Sequence, residues 1–287
     1  MDKLGPICRS VEDCALVLNA IDGPDGRDRS VNQHAVFNWD ANLDWRKLRV
    51  GYLHKDFEPS LEPAETEEKP AATPEERKKR AEASKQREVR RARAAYDRKF
   101  NDAALEKLRA MGVKLVPVEM PKFPYDAMVM MLESEAAAAF DELTRTGRDK
   151  LLTEQGADDW PNTFRSARFF PAVEYIQASR ARRLAMEAVG RVFTEFDVIV
   201  SPTFSQQLVI TNLTGHPALI LPNGFRGEDA PAAASTEDGA DGNVGGPGTP
   251  VSLTFLGNLY GETKMLALAR AYQEATGFHR LYPKLNG

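Results

Sequence analysis

The sequence predicts an α/β protein with a mixed sheet and helices on both faces of that sheet. Two strand patterns, at residues 48–53 and 113–118, are separated by a long helical stretch, which is the order of a β-α-β unit. We therefore expect these two strands to be parallel, with a right-handed connection. Two later apolar runs, at 218–222 and 250–256, are joined by a Gly-rich segment and predict a hairpin with a long loop.

The remaining elements follow from helical periodicity and from the residues that end it. Residues 10–21 begin at Ser10, a plausible N-cap, and stop before Gly23 and Pro24. A helix beginning near Pro74 is expected to end at Gly112. Further helices are predicted over residues 125–145, 172–196 and 262–274, and a strand over 197–202. In the helix at 172–196, helical spacing places five apolar residues largely on one side: Val173, Ile176, Leu184, Val192 and Phe193.

Two segments interrupt what we otherwise interpret as a single domain over residues 1–287. Residues 58–94 form a charged insertion that is rich in Pro and Glu up to residue 74 and helical afterwards. Residues 226–249 are rich in Gly, Ala, Asp and Pro and cannot bury enough apolar area to fold alone. We expect this second segment to be a flexible hairpin loop.

Composition excludes several classes of protein. The formal net charge of -4 provides no overall attraction to nucleic acid or to an anionic membrane. No apolar run approaches the ~18 residues that cross a bilayer, and the N-terminus has no apolar signal-peptide core, so we expect a cytoplasmic protein without membrane contact. The spacing of Cys8 and Cys14 fits neither a redox pair nor a zinc site.

The familiar catalytic and cofactor motifs do not occur in this sequence. It contains no Gly-x-Ser-x-Gly, Ser-x-x-Lys or His-Glu-x-x-His segment, and its four histidines lie far apart. The glycines at 239–248 lack the spacing of a phosphate loop and precede a strand instead of a helix. We therefore predict no catalytic residue, no metal site and no cofactor within the chain.

A basic run at residues 77–99 allows two interpretations. Its eleven Lys and Arg residues, against three acidic ones, are either a footprint for RNA or a solvated helix face. Tyr96 is the only aromatic residue in the run, so stacking on bases has little support. Nucleic-acid binding is the less favoured interpretation.

Three stretches together resemble one known family. They are residues 2–13 (D-K-L-G-P-I-C-R-S-V-E-D), 196–203 (F-D-V-I-V-S-P-T) and 212–218 (N-L-T-G-H-P-A), followed by G-T-P-V at 248–251. In this order and at this separation they resemble the amidase signature family. The resemblance covers about residues 2–57, 95–225 and 248–283.

The resemblance implies the C-terminal part of an amidase signature fold. It also implies hydrolysis of a carbon-nitrogen amide bond by a Ser-Ser-Lys mechanism, with all three catalytic residues upstream of this chain. The implied partner is a small amide substrate once an N-terminal half completes the site; that half either precedes Met1 in a longer reading frame, is encoded separately or has been lost. By family position, the helix at 135–140 and six residues face the substrate: Arg182, Ser201, Thr203, Thr214, Gly215 and His216. Each of these residues also has a purely structural explanation, such as ending a strand or forming a turn.

Two other functions remain open at this point. The chain could be a non-catalytic binding or regulatory remnant of the amidase scaffold. It could also be a piece of the A subunit of a tRNA-dependent amidotransferase, which the basic run at 77–99 favours.

Overall fold

The predicted strands form one mixed sheet in the computed structural model, which describes residues 3–28, 31–34, 36–58, 73–157, 159–231 and 245–282. The strand order is β2-β1-β3-β5-β4. β1 is parallel to β2 and to β3, whereas β5 is antiparallel to β3 and to β4. The parallel pair and the hairpin predicted from the sequence are both confirmed. The strands are β1 Val50–Leu53, β2 Leu115–Val118, β3 Val198–Pro202, β4 Ala218–Phe225 and β5 Pro250–Gly257.

Ten α-helices occur in the described residues, and several begin or end at the predicted signals. Ser10 caps the first helix, because its side chain accepts a hydrogen bond from the backbone N–H of Asp13 at 3.1 Å. Gly277 ends the last helix in the left-handed conformation. The helices are α1 Val11–Ile21, α2 His54–Phe57, α3 Pro74–Ala110, α4 Tyr125–Met128, α5 Met130–Ala139, α6 Asp141–Thr146, α7 Trp160–Ser166, α8 Ala172–Glu195, α9 Gln207–Thr214 and α10 Glu262–Thr276.

Helices cover both faces of the sheet, as predicted, because successive side chains of a strand point to opposite faces. On β3, Val198 and Val200 pack on one face, against α1, α10 and the C-terminal half of α3. Ile199 points to the other face, against α4, α8 and α9. The sheet is therefore the middle layer between two hydrophobic cores.

The predicted helix at 125–145 is wrong in its continuity. The structure divides it into α4, α5 and α6, with Phe140 between the last two at φ −103° and ψ 23°, outside the helical region. The Phe140 ring contacts Phe164 of α7, with 5.4 Å between the ring centroids. The break at Phe140 thus coincides with a contact to α7, a helix that the sequence did not predict. The alanines before Phe140 favour a continuous helix.

The apolar stripe predicted on α8 packs only at its C-terminal end, where Phe193 is buried and Val192 is partly buried. Val173, Ile176 and Leu184 are each more than half exposed. The buried face is narrower and is made of smaller residues, apart from one aromatic side chain: Ala185, Ala188, Val189 and Phe193. Small side chains allow close approach to α4 and α9, and Val173, Ile176 and Leu184 are left on the outer side.

The second half of α3 packs on the β4–β5 hairpin. Asp97 accepts two hydrogen bonds from Arg226, at 2.8 and 2.6 Å, and Tyr96 Oη donates to Asp229 at 2.7 Å. Residues 59–72 of the predicted insertion and 232–244 of the predicted flexible loop lie outside the described residues. The described base of the hairpin is held by backbone hydrogen bonds, including Arg226 N–H to the Thr249 carbonyl at 2.9 Å.

The described part of the chain contains no helix that combines the length and apolarity needed to cross a bilayer.

Candidate functional site

The end of β3 holds two of the predicted site residues in fixed positions. Ser201 is fully buried; its hydroxyl donates to the Pro202 carbonyl at 2.7 Å and lies 3.1 Å from Ser205 Oγ. Thr203 Oγ1 lies 2.9 Å from Thr254 Oγ1 on the adjacent strand β5. These contacts fix the point at which the chain leaves the sheet and enters α9.

Phe204, which follows Thr203 and precedes Ser205, has an unusual backbone conformation. Its φ is 64°, in the left-handed region that bulky residues rarely adopt, and its side chain is 88% exposed. Burial of the ring therefore does not compensate for the strain. Such outliers concentrate at functional sites, so the turn before α9 is a candidate for contact with a ligand.

The C-terminal end of α9 is stabilised by a glycine and two cations. Gly215 has a φ of 83°, and its N–H donates to the Thr211 carbonyl at 2.8 Å. Arg182 Nε donates to the Leu213 carbonyl at 2.6 Å, and Lys3 Nζ donates to the carbonyls of Thr211 at 3.0 Å and His216 at 2.6 Å. Because the last carbonyls of a helix carry partial negative charge, both cations stabilise this end.

His216 is a buried, neutral imidazole. Burial lowers its pKa to about 4, and the nearby charge of Lys3 adds to the effect. Its ring stacks on Phe193 with 4.8 Å between centroids. The Thr214 hydroxyl donates to the Ile210 carbonyl at 2.8 Å, so we assign the proton on His216 to Nδ1, which lies 2.9 Å from that hydroxyl. Nε2 is then an acceptor, and it has no hydrogen-bond partner among the described residues.

Thr214 and His216 together do not form a nucleophile and its base. Activation requires the hydroxyl proton to point at the imidazole nitrogen, whereas the Thr214 proton is directed to a helix carbonyl. Both side chains are also fully buried. Within the described residues, no three His, Cys, Asp or Glu side chains converge as metal ligands. This arrangement can position and shape a site, but it supplies no activated group.

The structure divides the predicted site residues between the two ends of α9. Ser201 and Thr203 precede the helix, whereas its C-terminal end is surrounded by Arg182, Thr214, Gly215 and His216. The two ends of α9 are about 12 Å apart, because the helix has eight residues with a rise of ~1.5 Å each. We call this set, with α9 itself, the α9 wall. The predicted helix at 135–140 is α5, where Glu135 Oε1 accepts a hydrogen bond from Tyr175 at 3.4 Å.

Two components of the wall were absent from the sequence prediction. No helix was predicted over α9, although Leu208, Val209 and Ile210 between polar residues are compatible with a short helix. Lys3 lies in the first family motif, but its partners are more than 200 residues away, so no local pattern indicates its role.

Comparison with solved structures identifies the class of fold. No protein-family model matches the chain. The fold is that of the amidase signature enzymes: the peptide amidase from Stenotrophomonas maltophilia matches with a TM-score of 0.60 and 22% identity, over 95% of this chain and 53% of that one. A bacterial aryl acylamidase of the amidase signature family matches with a TM-score of 0.60 and 14% identity, over 96% and 53%.

Sequence comparison points to particular relatives. The A subunit of glutamyl-tRNA(Gln) amidotransferase from Roseiflexus sp. (strain RS-1) is 27% identical over 328 aligned residues, covering 99% of this chain and 56% of that protein. The same subunit from Microcystis aeruginosa is 23% identical, covering 99% and 57%. The chain is thus similar to amidase signature proteins along nearly all its length, spans little more than half the length of these relatives, and fits a C-terminal portion of them.

Proposed function

We propose that this chain is the substrate-side portion of an amidase-type hydrolase that cleaves a carbon-nitrogen amide bond. One observation carries this proposal. The chain has the amidase signature fold, and 99% of it aligns with only about 57% of the length of a similar amidotransferase A subunit. In such an enzyme the catalytic Ser, Ser and Lys belong to the N-terminal portion. The α9 wall would then face the substrate from the opposite side.

The proposed division of labour follows from the chemistry of amide hydrolysis. A serine hydroxyl attacks an amide carbon only when a base accepts its proton; in this family, lysine acts through the second serine. The negatively charged tetrahedral intermediate needs preorganised donors, the leaving amine takes up the proton, and water then hydrolyses the acyl-enzyme. The α9 wall supplies none of these groups. Its proposed contribution is to hold the amide in place, because orientation alone removes a large part of the barrier.

Exposed apolar side chains support the proposal that another polypeptide portion packs on this chain. Leu4 and Ile7 are fully exposed, and Val173, Ile176 and Leu184 form an uncovered apolar face on α8. Exposed apolar side chains grouped on one side of a helix are typical of a protein interface. An N-terminal portion carrying the catalytic residues is the partner that the proposal requires.

The test is reconstitution of activity from two polypeptides. The full chain is co-expressed with the N-terminal portion of an amidase signature enzyme, and the purified complex is treated with a fluorophosphonate that labels activated serines. We expect labelling of the complex, none of the chain alone, and none when the nucleophilic serine of the added portion is changed to alanine. A stable, soluble complex without labelling would leave the non-catalytic scaffold as the better description.

The interface is tested separately with matched charge substitutions. Ile176→Glu places a charge on the exposed apolar face of α8, whereas Gln33→Glu places the same charge on an exposed, polar position between α1 and β1. We expect the first variant alone to lose co-purification with the N-terminal portion. Equal complex formation by both variants would show that the α8 face is not the interface.

A portion of an amidotransferase A subunit is the second candidate, because the similar curated relatives carry that name. This function predicts that α3, with its basic N-terminal half, binds tRNA. A tRNA affinity that falls steeply with salt and is lost when residues 75–93 are deleted would favour it. Equally weak binding by the deletion variant would count against it.

A further inference from the structure

A polar crevice adjoins the N-terminal end of the α9 wall, at the carboxyl ends of β1 and β2. Its volume is about 150 Å³, and it extends from the last residues of both strands to the first turn of α9. We call it the strand-end crevice and define it by its polar residues: Lys55, Asp56, Glu119, Lys122, Gln206 and Gln207. In open α/β sheets, ligands bind outside the carboxyl ends of parallel strands.

The charges of the crevice are balanced. Two lysines, Lys55 and Lys122, face two carboxylates, Asp56 and Glu119. Lys55 Nζ lies 2.7 Å from Glu119 Oε2, and His54 Nε2 lies 3.7 Å from Glu119 Oε1. A site with equal numbers of both charges favours neither a net anion such as phosphate nor a net cation. It matches a ligand that carries both charges.

Two acceptors in the crevice lack full solvation. Gln207 is only 2% exposed, and its Oε1 has no hydrogen-bond partner among the described residues. Burial raises the pKa of Asp56, although a hydrogen bond with Ser205 and the nearby His54 oppose the shift. A buried acceptor without a donor is unfavourable, so a ligand N–H group would stabilise this part of the crevice.

From this placement of charges and acceptors we propose that the strand-end crevice binds a small zwitterion, an α-amino acid. Its ammonium group faces Asp56 and Gln207, and its carboxylate faces Lys55 and Lys122. The crevice is formed by this chain alone. The inference therefore does not depend on an N-terminal catalytic portion.

The sequence contains a signal for this site that is weak by itself. His54, Lys55 and Asp56 follow β1 directly, and Glu119 follows β2 directly. Polar residues at the ends of neighbouring parallel strands meet at one edge of the sheet. Gln207 follows β3 at a distance of five residues and joins them only because α9 turns back towards that edge.

The experiment is calorimetric titration of the full chain with L-glutamine as the probe. Succinate and n-butylamine, titrated in parallel, carry only one of the two charge types. The variants are Gln207→Leu, which removes the buried acceptor, and Lys122→Met, which replaces an exposed side chain and should leave the fold intact. Gln177→Leu and Lys150→Met are the matched controls, because both positions are exposed and lie outside the crevice.

We expect L-glutamine to bind the wild-type chain with a dissociation constant on the order of 1 mM, and neither comparator to bind comparably. Gln207→Leu and Lys122→Met should each weaken binding about tenfold, and the controls should not. Absence of L-glutamine binding, equal binding of succinate or n-butylamine, or an unchanged affinity in Lys122→Met would overturn the proposal. Labelling of the reconstituted complex does not depend on these results, so the two proposals can fail separately.

Discussion

Substitution of Arg226 tests whether a buried ion pair holds α3 on the sheet. The Arg226 and Asp97 side chains are only 10% and 16% exposed, and two hydrogen bonds at 2.8 and 2.6 Å join them. Arg226 Nη1 also donates to Thr249 Oγ1 and to the Pro250 carbonyl, both at 2.9 Å. Arg226→Leu removes all four bonds and leaves a carboxylate buried without its partner.

The expected loss of stability is large for a single substitution. Breaking a buried pair by removing one partner costs about 3–5 kcal/mol, and partial exposure places this pair near the lower end. For a chain of this size, a loss of about 3 kcal/mol corresponds to a fall in Tm of roughly 5 °C. Urea denaturation followed by circular dichroism measures the loss. Exchange of the Gly227 amide, which donates to Tyr96 Oη at 3.1 Å, reports local release of α3.

The matched control lies one position beyond Asp97 on the same helix. Arg98 pairs with Asp102 at 3.4 Å, but both side chains are half exposed, so Arg98→Leu should cost only about 0.5 kcal/mol. The double variant Asp97→Leu/Arg226→Leu should recover part of the loss, because no charge is then left unpaired. Equal costs for Arg226→Leu and Arg98→Leu would refute this account of how α3 is held.

Three further predictions concern single residues. Burial alone would raise the pKa of Asp197, but hydrogen bonds from Arg49 and Lys264 hold it well below its usual range. Asp197→Asn should therefore lose about 1–2 kcal/mol above pH 4 and less in stronger acid; an equal loss in exposed Asp102→Asn would contradict this. Gly215→Ala should cost about 1 kcal/mol at its φ of 83°, whereas Gly190→Ala inside α8 should add about 0.5 kcal/mol; chemical denaturation distinguishes the two signs. Between about pH 6.5 and pH 4 the imidazole of His216 is protonated in the unfolded chain but not in the folded one. The free energy of unfolding should therefore decrease as the pH is lowered through this range, and His216→Gln should make that decrease smaller.

Local patterns were sufficient for most of the fold. The alternation and length of the apolar runs predicted all five strands of the described residues, and the long helical stretch at 74–111 between β1 and β2 predicted their parallel pairing. Capping residues such as Ser10 placed helix ends within a residue or two. These features succeed because hydrogen-bonding periodicity and turn chemistry act over only a few neighbouring residues.

The face of α8 shows where local patterns fail. Helical spacing groups Val173, Ile176 and Leu184 correctly, but burial depends on which face the neighbouring helices meet. The close approach to those helices uses small residues, such as Ala185, that carry little hydrophobic signal. The size of a side chain therefore did not indicate its burial.

The sequence by itself determined the α/β class, the hairpin, the resemblance to the amidase signature family and the six residues expected to face a substrate. Only the tertiary structure decided that those residues divide between the two ends of α9, that Lys3 stabilises its C-terminal end, and that Asp56, Glu119 and Gln207 line one crevice. The reason is physical. A propensity is a property of neighbouring residues, whereas a site forms where strands and helices distant in sequence bring their ends together.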